Sequence, residues 1–99
     1  MNTQSNAAAP RFPLGQIVAT PGALAALIKT GQTPFEFLAR HMYGDWGELP
    51  SEDVVENERA LSVGTRLFSA YTLRDGTRLW IITEHDRSVT TLLLPIGAP

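Results

Sequence analysis

The sequence predicts an α+β fold: two or three short N-terminal helices packed on a C-terminal three-stranded antiparallel β-meander, with a short N-terminal segment as a candidate fourth strand. Three observations carry this expectation. Thr20-Pro21 and Thr33-Pro34 are helix starts, a capping hydroxyl followed by proline at the first helical position. After Gly64 the apolar period changes from helical to two. Asp75-Gly76 then stands between two alternating runs, the signature of a tight hairpin.

Taken in order, "LGQIVAT" (14–20) alternates weakly and ends at Thr20-Pro21-Gly22, which makes it the candidate N-terminal strand. The first helix follows, with Leu24, Leu27 and Ile28 at helical spacing and Thr30-Gly31 as its stop. In the second, Thr33 caps and Glu36 completes a capping box. Phe35, Leu38 and Met42 form its expected stripe, and Gly44 ends it with His41 in the last turn. Ser51 begins the third, with Glu52 and Asp53 where the helix dipole favours them, a thin apolar face of Val54, Val55 and Leu61, and Val63-Gly64 as its end. The strands are "TRLFSAYTL" (65–73), "RLWIIT" (78–83) and "VTTLLLP" (89–95), separated by the Asp75-Gly76 turn and the "EHDRS" turn (84–88). A two-residue Asp75-Gly76 loop sets Tyr71 opposite Trp80 and Ala70 opposite Ile81. It places Phe68, Ala70, Leu79 and Ile81 on one face and Tyr71, Trp80 and Ile82 on the other. Residues 1–11 read as a polar, alanine-rich disordered tail, and 12–97 as a single domain.

Composition narrows the function classes. The formal net charge is −2, which argues against nucleic acid as a partner, since such proteins carry a basic excess that displaces counterions from phosphate. The chain has no cysteine, which fits a reducing cytoplasm. No apolar run reaches the ~20 residues of a membrane helix, and the start lacks the pattern of a signal peptide. Metal ligation is not expected: the two histidines lie far apart and neither HExxH nor calcium-loop spacing occurs. Neither a Walker loop nor GxGxxG is present, and no cofactor is expected. Charge is uneven, with Asp45, Glu48, Glu52, Asp53, Glu56 and Glu58 in one acidic run and Arg59, Arg66, Arg74, Arg78 and Arg87 beyond it. The expected outcome is internal pairing between the two.

Two clusters are candidates for chemistry. His41 and Asp45 have the spacing of a general base with an orienting carboxylate. The plainer reading of "RHMYGDWGEL" is a helix terminator, with His41 at the negative helix end, Asp45 bonding its own turn and Trp46 anchoring the loop. Glu84, His85, Asp86 and Arg87 form a turn that could bind phosphate, although exposed hairpin tips are commonly charged. For both clusters the structural reading is favoured.

The strings "FPLGQIVATPGAL" (12–24), "RHMYGDWGEL" (40–49), "LFSAY" (67–71) and "LWIITEHDRSVTTLLLP" (79–95) resemble a family of small bacterial proteins usually labelled plasmid-related or hypothetical, carried on plasmids and integrative mobile elements. The resemblance spans roughly residues 12–95 and implies a cytoplasmic accessory of a mobile element, without supplying catalytic residues. The expected function is a non-enzymatic interaction module that meets a protein partner or a second copy through Tyr71, Trp80 and Ile82. One alternative is a metal-independent toxin-type ribonuclease, with His41 or His85 as base and Arg87 or Arg78 as phosphate clamp. Another is an inhibitor of host defence, restriction or CRISPR, acting by protein–protein contact.

Overall fold

The computed structural model describes residues 9–95. Residues 1–8 of the expected tail and 96–97 of the expected domain lie outside that range. Arg11, placed in the tail by its sequence, is held: its amide donates to the Met42 carbonyl at 2.8 Å and its guanidinium forks onto Glu58 at 2.8 and 2.9 Å.

The order of elements is β1 (Gln16–Ala19), α1 (Pro21–Thr30), α2 (Pro34–Met42), α3 (Ser51–Val63), β2 (Leu67–Thr72), β3 (Arg78–Thr83) and β4 (Val89–Leu93). All three anticipated helices form, and the fold is α+β. The sheet corrects the expected arrangement. Among the described residues it has four strands in the order β1-β4-β3-β2, and β1 runs parallel to β4 beside the antiparallel β2-β3-β4 meander.

Both threonine hydroxyls cap as read, but the capping box is only half made: the Glu36 carboxylate accepts from Gln32 Nε2 at 3.1 Å instead of from the Thr33 amide. Thr20 and Thr33 accept from the amides of Ala23 and Glu36. At α3 the cap position is Pro50, with no side-chain cap, and Ser51 is already helical. The buried helix faces differ from the expected stripes by about one position. Ala23 and Leu27 are buried in α1, and Phe37, Leu38 and His41 in α2. Leu24, Ile28 and Phe35 face solvent.

The hairpin register also differs. Leu73 and Thr77 pair across a three-residue loop: the Leu73 amide donates to the Thr77 carbonyl at 2.8 Å, and Gly76 donates back to Leu73 at 2.9 Å. Among residues 74–76 only Gly76 has positive φ, so the turn is type I closed by a left-handed glycine, not the two-residue type that needs positive φ at both positions. The extra loop residue slips the register by one. Tyr71 now opposes Leu79 and Ala70 opposes Trp80. A one-residue slip turns a side chain to the opposite face, so Tyr71 is core.

On the helix-covered face, Tyr71, Leu79, Ile81 and Leu92 pack with Ala23, Leu27, Phe37 and Leu38. A second cluster joins Phe12, Trp46, Ala60 and Leu67. Tyr71 is 1% exposed, touches Phe37 with ring centroids 5.4 Å apart, and donates its hydroxyl to the Asp45 carbonyl at 2.7 Å.

Candidate interaction surface

The alternating residues of the sheet make its second face. One row across it runs Val18–Thr91–Ile82–Phe68, and the next runs Leu93–Trp80–Ala70. Neither apolar cluster includes a residue of this face. Phe68, Trp80, Ile82, Thr91 and Leu93 are half-buried, with α3 flanking the face at its Phe68 end. Phe68 and Trp80 meet edge to face at 5.1 Å and 90°. Beside them opens a groove of about 400 Å³, floored by Phe68, Trp80 and Ile82 and walled by Asp53, Glu56 and Asn57 of α3 with Arg66.

Asn57 is what holds α3 at this place. Its buried amide accepts from the Phe68 N–H at 3.1 Å and donates to the Phe68 carbonyl at 2.6 Å, copying the hydrogen bonds of a neighbouring strand. Ala70 is served in the same way by backbone: its N–H donates to Trp46 and its carbonyl accepts from Glu48. The outer edge of β2 is thereby closed from Phe68 to Ala70. Gly47 allows this approach. Its φ is +76°, and a Cβ there would lie 2.1 Å from the Ala70 oxygen.

Of the expected partner residues, Trp80 and Ile82 lie on this open face, Tyr71 lies on the other, and Phe68 takes its place. Phe68 was not read as part of the surface because its face depends on the loop length.

The catalytic candidates sit elsewhere. His41 is fully buried, between the edges of the Phe12 and Trp46 rings. Its Nδ1 is 2.6 Å from Ser69 Oγ and its Nε2 2.9 Å from Thr83 Oγ1. Thr83 Oγ1 is 2.8 Å from Thr90 Oγ1, which donates to the Leu14 carbonyl at 2.7 Å. A carbonyl only accepts, so the direction of the whole chain follows. Thr90 gives its one proton to Leu14, Thr83 gives its one proton to Thr90, and Nε2 must therefore carry hydrogen and donate to Thr83. Neutral His41 then accepts from Ser69 at Nδ1. Burial, with a smaller effect from the Arg87 charge, lowers its pKa to about 4. Every polar atom of this chain is satisfied, and the imidazole pins α2 to β2, β3 and β4.

Asp45 turns away from His41. Its carboxylate takes a fork from Arg40 at 2.7 and 3.3 Å and the Gly47 amide at 3.2 Å, which together hold its pKa below the usual range. Trp46 is the anchor expected of it, 4% exposed, with Nε1 donating to Glu58 at 3.0 Å. Arg87, at φ +61°, donates to the carbonyls of Thr65, Glu84 and Ala60, closing the C-terminal end of α3. Asp86 accepts from the Ser88 amide and hydroxyl, and His85 is exposed at the turn. Structure therefore separates His41 from His85, and commits Arg87 to backbone.

The acidic run is partly paired, and its best partners come from the N-terminal half: Arg11 with Glu58 and Arg40 with Asp45. Arg78 reaches Glu48 only at 3.7 Å, and Arg59 reaches Glu56 at 3.6 Å. Asp53 has no salt-bridge partner among the described residues. No grouping of three metal-ligating side chains occurs among the described residues, and no helix there is long and apolar enough to cross a membrane.

No family model, curated protein or solved structure matches the chain.

Proposed function

We propose that this chain is a protein-interaction module whose docking surface is the open sheet face, centred on Trp80, Ile82 and Phe68. The observation that supports it most is a half-buried face of aromatic and branched side chains outside both apolar clusters, continuous with a groove beside α3. Apolar ground of this kind beside a polar rim is the usual anatomy of a binding surface. Asp53 and Glu56 on the rim favour a partner segment that pairs an apolar side chain with a lysine or arginine. A role as an accessory of a mobile element rests on the family resemblance alone.

The test is Trp80→Ala. Trp80 is half-buried and its main ring contact is Phe68, so the substitution should cost about 1–2 kcal/mol of stability. Capture of a partner from extracts of the native host should fall tenfold or more, with the far-UV spectrum retained. Undiminished capture by a folded Trp80→Ala protein would refute the reading.

A further inference from the structure

The two edges of the sheet are treated in opposite ways. Of the three outward-facing residues of β2, Phe68 and Ala70 have their N–H and C=O groups bonded by Asn57 and by the 46–48 segment, and only Thr72, beside the hairpin, has no backbone partner there among the described residues. At β1 the amides of Gln16 and Thr20 point to β4, donating to Ser88 and Leu92 at 2.9 and 3.0 Å. Strand geometry then turns the N–H and C=O groups of Ile17 and Ala19 outward. Among the described residues these groups have no partner. Native proteins commonly blunt such an edge with charge, proline or a bulge. Here Gln16–Ala19 carries none of these, and Ile17 and Val18 are 47% and 39% exposed.

We propose that β1 pairs antiparallel with β1 of a second copy about a two-fold axis through Val18. The pattern of the strand is complementary to itself. In this register Ile17 of one copy and Ala19 of the other exchange both hydrogen bonds, so each branched side chain faces a small one. The twin pair gives four bonds. Val18 then meets Val18 directly, at a non-hydrogen-bonded position where branched residues pack well. No charged residue occurs from Phe12 to Ile28, so no like charges meet within the strand pair itself. The sheet becomes eight strands wide, and the row Val18–Thr91–Ile82–Phe68 continues into its twin, joining the two open faces. A four-residue edge buries well under the ~800 Å² per partner of a standard interface, so the dimer is weak and depends on concentration. An extended segment of another protein is the competing occupant. It has no self-complementary register to satisfy, and charge does not select it.

The experiment uses the chain's lack of cysteine. Val18→Cys places the two Cα atoms about 4.5 Å apart across the axis, within the range a disulfide spans. Val63→Cys, exposed on α3, is the control. Under mild oxidation Val18→Cys should cross-link at least tenfold faster than the control, both variants being checked for fold by circular dichroism. Wild-type protein should sediment with rising mean mass between roughly 10 μM and 1 mM, and Val18→Lys should move that rise at least tenfold higher. Trp80→Ala should leave it in place, which separates this inference from the open-face reading. A wild type monomeric throughout, equal cross-linking of the two cysteine variants, or a dimer indifferent to Val18→Lys would each overturn the proposal.

Discussion

Lowering the pH from 7 to 5 should destabilise this protein before its paired carboxylates titrate, and the cause should be His41. Its folded pKa of about 4 lies below the unfolded value of 6.5. A base whose pKa is depressed by folding binds fewer protons in the native state, so its contribution is complete above pH 6.5. It is lost as pH falls through 6.5 toward 4. The full difference corresponds to about 3 kcal/mol, of which about 2 kcal/mol is already gone at pH 5. That is a large part of the ~5–15 kcal/mol typical of a small domain. The carboxylates of Asp45, Glu58, Asp75 and Asp86 are all lowered by their hydrogen bonds. Their stabilisation begins to fade as pH falls through their ordinary values of 3.8 to 4.5, so the stretch above about pH 5 is the one that reports His41. The assay is urea denaturation at half-unit steps from pH 7.5 to 4, beside His41→Gln, which cannot titrate. The wild type should lose stability from pH 7 to 5 and the variant should be nearly flat over that range. A flat wild-type profile, or a His41 imidazole titrating near 6.5 by NMR in the folded protein, would refute the sealed hydrogen-bond chain and return His41 to the candidates for chemistry.

Two further substitutions test how the fold shapes the open sheet face and the β2 edge. Asn57→Ala leaves the Phe68 N–H and C=O unpaired at a closed edge, and should cost about 2–4 kcal/mol, read as a lowered denaturation midpoint. A loss under 1 kcal/mol would mean that water replaces the amide and that α3 is held by other contacts. Gly47→Ala combines a left-handed φ with a collision against the Ala70 carbonyl, and should destabilise by at least 2 kcal/mol and speed hydrogen exchange at the Ala70 and Glu48 amides. Unchanged exchange at those amides would show that the 46–48 segment does not cover the β2 edge.

How much of this was legible depends on the range of the interactions involved. Helix ends are local: Thr20, Thr33, Gly31 and Gly64 act on backbone within four residues of themselves, and all four mark their boundaries as read. The meander is legible for the same reason, since alternation and Asp75-Gly76 are neighbours in the chain. The face of Tyr71 was not. It turns on whether Asp75 or only Gly76 takes positive φ, a small local energy difference that the burial of Tyr71 against Phe37 and its bond to Asp45 can decide. Thr83 and Thr90 looked like ordinary strand threonines, and no spacing rule ties them to His41 across forty residues.

Sequence by itself determined that the chain is α+β, where its helices stop, that Trp46 anchors a loop and that no cysteine chemistry occurs, because each of these follows from residue type or from neighbours a few positions apart. Tertiary structure decided which aromatic ring is core and which is surface, that His41 is a neutral buried tie, and that one sheet edge is closed by Asn57 while the other stays open. Those outcomes depend on groups brought together from distant positions, where burial and hydrogen-bond satisfaction outweigh local preference.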